Sequence, residues 1–399
     1  MPSTAWRRPT PSKSCRSWRR QPVLTRASTD GQRVLAAHRF RQMLAELVDR
    51  PIRLMEVCGT HSQAIGRFGL RQLLPADLRL LSGPGCPVCV TTPGEISAMI
   101  ALATSGVIVC TFGDMMRVPG HTDNGSAPPT LSLAKAQGAD VRVVYSPLQA
   151  VEIAQAHPDR EVVFLGVGFE TTAPAVAAAV LSAARQRVPN LSVFAAHKLV
   201  PPALVALLQS PGVALDGLLC PGHVSTIIGA QAYAPLVQQY GIPCAVAGFA
   251  PGEIMAGILS LVRQVRAGEA RVDNDYARAV RPEGNPLALR TMYEVFRPAD
   301  TTWRGLGTIA DSGLAFREAY RGFDAVARHG VEVAVLPEPP GCCCGAVLRG
   351  AISPRDCPSF GDPCRPESPV GPCMVSSEGS CAAEWRYGQL APEVREVTA

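Results

Sequence analysis

Short apolar runs separated by amphipathic stretches fill residues 50 to 250, and their order predicts parallel α/β units. The strand-like runs are RLMEVC (53–58), LRLLSG (78–83), GVIVCTFG (106–113), VRVVYS (141–146), EVVFLGVG (161–168), LSVFAAH (191–197), GLLC (217–220) and CAVAGF (244–249). Helical patterns fall between them at 93–105, 174–187 and 202–210. Thr92 and Glu95 stand three residues apart at the start of the first, as a capping box requires. Four strands precede residue 150 and four follow it, so the pattern predicts two similar α/β halves, one over 50–150 and one over 151–255.

The periodicity weakens beyond 251. A helical pattern at 251–268 leads into a mixed segment with turn signals at EGNP (283–286) and PADTTWRGLG (298–307). After residue 336 the chain is rich in Pro, Gly and Cys, and something other than an ordinary apolar core must hold it.

Composition narrows the class. The chain has 399 residues, 47% of them hydrophobic and 18% charged, which is enough for two or three domains with buried cores. No apolar run reaches the roughly 18 residues of a membrane span, so a soluble protein is expected. The net charge of +5 invites a nucleic-acid reading. Much of that excess lies in the first 29 residues, which hold Arg7, Arg8, Lys13, Arg16, Arg19, Arg20 and Arg26 and no acid. Residues 1–30 therefore read as a disordered basic extension without a role, and the remainder is close to neutral. The arginine pairs resemble a twin-arginine signal only in letters, because no apolar segment follows them. Without an export signal, the fourteen cysteines belong to a reducing cytoplasm, where clustered thiols mean metal or thiol chemistry more often than structural disulfides.

In open α/β sheets, ligands bind beyond the carboxyl ends of the strands. The chemically capable residues fall at those ends: Cys58 and His61, Cys86 and Cys89, Asp114, Glu170, His197, Cys220 and His223. Cys86 and Cys89 lie in GPGCPVC, in what reads as the loop before the Thr92 helix. The pair suits metal binding or redox cycling, with a structural turn as the plain alternative. Cys58 ends a strand, and His61 is placed to lower its pKa or to hold a bound ligand.

Seven cysteines lie between 342 and 381: Cys342, Cys343, Cys344, Cys357, Cys364, Cys373 and Cys381. Structural zinc takes close pairs of ligands, and apart from the CCC run this segment has none. Single thiols on irregular backbone suit an iron-sulfur cluster better, while zinc and free or disulfide thiols stay open. Spacing alone does not choose four ligands from seven. No phosphate-binding loop of the Walker type is present.

CGTH (58–61), GPGCPVC (83–89), TFGDMMRVPG (111–120), GFETTAP (168–174), PGHVSTIIG (221–229) and GPCMVSSEGSCAAEWRY (371–387) together resemble the HypD family of NiFe-hydrogenase maturation factors, over about residues 35–390. That resemblance implies two parallel-sheet α/β domains related by a pseudo-twofold. It also implies a third, cysteine-rich domain, here 31–49 with 256–399, carrying a 4Fe-4S cluster. The implied function is assembly of the Fe(CN)2CO group. Iron is held between Cys58 and a cysteine of the small partner HypC, cyanide comes from HypE with HypF, and electrons pass through the cluster and the dithiol Cys86 and Cys89. These two thiols are also candidate contacts to iron.

The family's cluster spacing of 14, 6 and 16 intervening residues falls on Cys342, Cys357, Cys364 and Cys381, leaving Cys344 and Cys373 as nearby thiols and the CCC run ambiguous. Asp114, Glu170, His197 and His223 are candidates to give hydrogen bonds or protons to the diatomic ligands. In GFETTAP, Thr171 or Thr172 is expected to cap the following helix. A competing reading is a free-standing, iron-sulfur-dependent thiol-disulfide reductase, which has no need of Cys58.

Overall fold

The structure is a computed structural model that describes residues 30–122 and 128–388; the extension read over 1–30 falls almost wholly outside them. The eight expected strands all form: β1 (Ile52–Glu56), β2 (Leu78–Ser82), β3 (Ile108–Thr111), β4 (Val141–Val143), β5 (Val162–Gly168), β6 (Leu191–His197), β7 (Gly217–Pro221) and β8 (Cys244–Ala247). Three more follow, β9 (Val272–Asn274), β10 (Phe296–Trp303) and β11 (Gly307–Phe316).

Two sheets are wholly parallel. One has the order β2-β1-β7-β8-β9 and the other β4-β3-β5-β6. The strands therefore do not divide into sequential halves at residue 150. The chain lays down β1 and β2, crosses to build the four-stranded sheet from β3 to β6, then returns to complete the first sheet with β7 to β9. β10 and β11 pair antiparallel as a separate ribbon, so most of 298–307 is strand, and only Arg304–Leu306 turn.

Alternation along each strand explains the layering, because successive side chains leave opposite faces. Met55 of β1, Val163 and Leu165 of β5, Phe194 of β6 and Leu218 of β7 share one apolar core between the sheets. Leu54, with Leu219 and Ala245, turns to the other face of the five-stranded sheet and packs on Phe40, Ile254 and Ile258. Val162 and Phe164 turn to the far face of the four-stranded sheet, against Val176, Val180 and Phe296. Burying one such Phe contributes about 2–3 kcal/mol.

The helix Pro93–Thr104 starts with the expected box. Thr92 Oγ1 accepts from Glu95 N–H (3.2 Å) and Glu95 Oε2 accepts from Thr92 N–H (2.8 Å). The other oxygen of Glu95 receives the fully buried Lys198 Nζ at 2.6 Å, and Thr301 of β10 accepts from the same ammonium at 3.1 Å. The ribbon is thereby tied to the four-stranded sheet. Thr172 does precede the helix Ala173–Arg185, but its hydroxyl donates to Phe169 O (3.2 Å) and makes no cap bond; Pro174 in the first turn lacks an N–H to be capped.

Candidate functional site

β2, β1, β7 and β8 are neighbours in the sheet, so their carboxyl ends form one continuous edge. Cys86, Cys58, His223 and Phe249 lie along it in that order. Cys58 follows β1 and is the N-cap of the helix Gly59–Arg67. Its thiol is buried, and dehydration pushes its pKa up to about 12, helped by Glu378 and Glu56 and opposed by the backbone N–H groups of His61 and Thr60. The part of His61 that lowers the pKa of this thiol is its backbone N–H, while its imidazole turns to Gly248. Its Nε2 donates to Gly248 O at 2.9 Å, leaving Nδ1 a buried acceptor without a partner. Burial holds this ring neutral, with its pKa lowered to about 4. Phe249 lies between His61 and His223, with ring centroids 5.0 and 4.0 Å away, so two imidazoles flank one apolar ring beside Cys58.

Cys86 and Cys89 form a disulfide. They are not in a plain loop: Cys86 caps the short helix Pro87–Val90, its Sγ accepting from Cys89 N–H at 3.1 Å. The turn before it is locked on Cys58, since Gly59 N–H donates to Gly85 O at 2.8 Å. A Cβ on Gly85 would lie 2.1 Å from Cys58 N, so only glycine permits this approach. Both sulfurs of the pair are shielded, Cys86 being 3% and Cys89 0% exposed.

The C-terminal cysteines close over the same edge. The helix Ser380–Tyr387 packs on Gly59–Arg67, and the helix Pro372–Val375 packs on Pro87–Val90. Thr60 Oγ1 donates to Glu378 Oε1 at 2.7 Å, beside Cys58. Cys342, Cys344, Cys357, Cys364, Cys373 and Cys381 line one small, tight cavity. Cys373 Sγ accepts from Cys381 N–H at 3.2 Å, and Val370 N–H lies 3.4 Å from Cys364 Sγ. Cys343 is outside the lining. Among the described residues, no group of three or more His, Cys, Asp or Glu side chains is arranged to hold a single metal ion. A larger open groove lies at the amino ends of β1, β7 and β8, where Arg50 and Asp216 pair at 2.8 Å. It is at the opposite end of the sheet from Cys58.

The remaining candidates separate. Asp114, after β3, faces Glu378, and each carboxyl is raised, first by dehydration. Glu170, after β5, is buried; Oε1 accepts from Val200 N–H at 2.8 Å, Oε2 has no partner, and burial raises its pKa to about 7. His197 ends β6 with both ring nitrogens unpartnered against Phe296, and burial lowers its pKa to about 3. Cys220 is buried inside β7, next to Cys244.

Sequence reasoning missed Glu56. It is fully buried, its Oε2 accepting from Cys58 N–H at 3.1 Å and its Oε1 from the Ser62 hydroxyl, so it fixes the loop that carries Cys58. The available signal was a carboxylate at the end of a strand, directly after the apolar pair Leu54 and Met55 and two residues before the thiol. Glu378 was missed as well, although it lies inside SSEGSC.

Fold and site together define a cysteine-centred α/β protein. Its strand-end chemistry is carried by thiols, with no nucleophile-base pair and no phosphate loop among the described residues. Comparison with known proteins gives the family. The HypD profile, described as the hydrogenase formation hypA family, matches residues 35–388. The chain is 48% identical to the hydrogenase maturation factor HypD of Azotobacter vinelandii, over 87% of this chain and 92% of that one. It is 45% identical to HypD of Rhodobacter capsulatus (88% and 93% covered), and 42% identical to a putative hydrogenase expression/formation protein of Methanocaldococcus jannaschii (87% and 95%). The chain belongs to the HypD family of hydrogenase maturation factors.

Proposed function

We propose that this chain is the scaffold on which the Fe(CN)2CO group of NiFe-hydrogenase is assembled, with iron as cargo held by Cys58. The observation that carries the reading is the isolation of Cys58. It is one buried thiol at a helix N-terminus, with a disulfide on one flank and a thiol-lined cavity behind it. A single soft ligand binds iron reversibly and leaves coordination positions for a partner's thiolate and for strong-field diatomic ligands. The second thiolate comes from a HypC-type chaperone and cyanide from HypE with HypF. Backbone N–H groups of Thr60 and His61 face the sulfur and favour its thiolate form.

The cavity's donors fit a 4Fe-4S cluster. Apart from the Ser359 hydroxyl its lining is thiol and apolar without a carboxylate or imidazole, and Val370 N–H points at Cys364 Sγ. Cys342, Cys357, Cys364 and Cys381 would hold it, and when bound it supplies single electrons. Cys373, which contacts Cys344, lies on the helix Pro372–Val375 that packs on Pro87–Val90, the helix of Cys86–Cys89. No helix among the described residues is long and apolar enough to cross a membrane.

The reductase alternative takes support from the disulfide, yet sulfurs 0–3% exposed are poorly placed to attack a protein substrate. Infrared spectroscopy of the chain co-purified anaerobically with its HypC-type partner separates the two readings. Wild type should show CN and CO bands, and Cys58→Ala should lose them while keeping the broad visible absorption of the cluster. Bands retained in Cys58→Ala and lost in Cys89→Ala would overturn the assignment of iron to Cys58.

A further inference from the structure

The β10–β11 ribbon ends in a tight turn, Arg304–Leu306, that is driven into the protein between the disulfide helix and the thiol-lined cavity. On one side, Arg304 N–H donates to Val90 O at 2.8 Å and its Nε donates to Thr91 O at 2.9 Å. Those carbonyls follow Cys89 directly. On the other side, Gly305 has φ +79°, and a Cβ there would lie 2.4 Å from Gly345 Cα, next to Cys344. Arg349, on the same wall, donates to Gly305 O. The guanidinium between these walls is only 2% exposed. Among the described residues its carboxylate partner is Glu338, whose side chain is 35% exposed.

A buried cation is costly unless its surroundings use the charge. The redox groups on the two sides of this one become more negative on reduction. Cys342 and Cys344, on the cavity side, lie within reach of the Arg304 charge. When the disulfide opens to a thiolate–thiol pair it takes up two electrons and one proton, a net gain of one negative charge, and a 4Fe-4S cluster gains one unit of negative charge per electron. In a poorly screened interior a fixed positive charge nearby stabilises those reduced states.

We infer that Arg304 is a positioning residue for electron transfer, a fixed buried cation that joins the Cys86–Cys89 helix to the cysteine-lined cavity and raises the reduction potential of the groups on both sides. The cluster half of this inference rests on the reading of the cavity given above; the dithiol half does not. Glu338 sets how much of the charge is felt.

Two midpoints on the full-length, anaerobically purified chain test it. One is that of Cys86–Cys89, from acid-quenched alkylation in glutathione or thioredoxin buffers. The other is the cluster's, from an EPR-monitored titration. Arg304→Gln should disfavour the reduced state on the order of tenfold in each, which corresponds to about 30 mV for the two-electron couple and about 59 mV for the one-electron couple. Arg304→Lys should restore most of the loss. Glu338→Gln should move both midpoints the opposite way, a sign that simple loosening of the fold cannot produce. Should Arg304→Gln fail to fold, Glu338→Gln decides: a raised midpoint supports the inference, and an unchanged or lowered one ends it. Midpoints within twofold of wild type in both variants, or shifts of the same sign, overturn it. A colourless wild type would remove the cluster reading alone, since the dithiol midpoint remains measurable and by itself supports or overturns the role of Arg304.

Discussion

The two parallel sheets present carboxyl edges made from similar strands, and the edges differ in what lies on them. The five-stranded edge carries Cys58, the Cys86–Cys89 disulfide and the two imidazoles around Phe249, with Gly59 N–H on Gly85 O and His61 Nε2 on Gly248 O, and with His61 Nδ1 buried and unpartnered. The four-stranded edge carries Glu170 and His197, sunk in protein with polar atoms unpartnered. The C-terminal cysteine segment covers the first edge, through Glu378 against Gly59. The ribbon covers the second, where Leu199 N–H donates to Ser312 O at 2.8 Å. Residue type at a strand end thus did not decide the chemistry. What covers the end, and how many of its buried polar atoms lack a partner (one on the first edge, His61 Nδ1, against three on the second), separates the thiol edge from the carboxylate and imidazole edge.

Breaking the first edge should have the largest effect. Gly85→Ala puts a methyl group 2.1 Å from Cys58 N and 2.4 Å from Cys58 Cα, both backbone atoms that cannot rotate away. The Cys58 loop or the disulfide turn must move, at a cost of about 3 kcal/mol. Gly322→Ala, with nothing within 4 Å and an ordinary φ, should stay within about 0.5 kcal/mol of wild type. Thermal melting of the two variants side by side checks this, and equal melting temperatures would mean that the contact is not a constraint.

How much of this was visible in the sequence depends on the range of the interaction. Parallel strands buried on both faces read as apolar runs, which is why EVVFLGVG and LSVFAAH gave β5 and β6 at once. The ribbon was hidden because FRPADTTW is half-exposed, polar and interrupted by Pro298, which reads as a turn. Sheet membership was hidden for another reason: periodicity reports which face a side chain takes, and nothing in it says which sheet β7 joins. Arg304 is 213 residues from the carbonyl of Thr91 that it meets, and no local pattern encodes that pairing. Thiols were legible as a class because their chemistry is rare. The carboxylates that place them, Glu56 and Glu378, look like any other acid in a chain with 33 of them.

The second edge can be tested through pH. Burial raises Glu170 from 4.5 to about 7, so the folded protein keeps a proton that the unfolded chain releases. The stability this group contributes is complete below pH 4.5 and is lost as pH rises toward 7. Glu170→Gln keeps an acceptor for Val200 N–H and cannot ionise. Its stability relative to wild type should therefore rise by about 2–3 kcal/mol between about pH 4 and pH 8, as read from urea unfolding. His197 works in the opposite direction: its lowered pKa costs stability as pH falls from 6.5 toward 3, and it does so in both proteins, so it cancels in the difference. A difference independent of pH would mean that Glu170 is ionised in the fold and that its second oxygen has found a partner.

The smallest expected effect sharpens the comparison most, because it concerns a thiol that covers the first edge without joining it. Cys343 lies between Cys342 and Cys344, yet those two line the cavity and Cys343 does not. Its position at the N-cap of the helix Cys344–Leu348, with φ −102° and ψ 27°, turns its side chain away from its neighbours' cavity and toward Cys357 from outside. It is also partly exposed, so a serine there loses little buried surface. Cys343→Ser should leave the visible absorption of the anaerobic protein unchanged and stability within about 0.5 kcal/mol, whereas Cys342→Ser should bleach it. If the chromophore survives Cys342→Ser and disappears in Cys343→Ser, the CCC run uses its middle thiol. The helix start would then have to rotate when the cavity is filled.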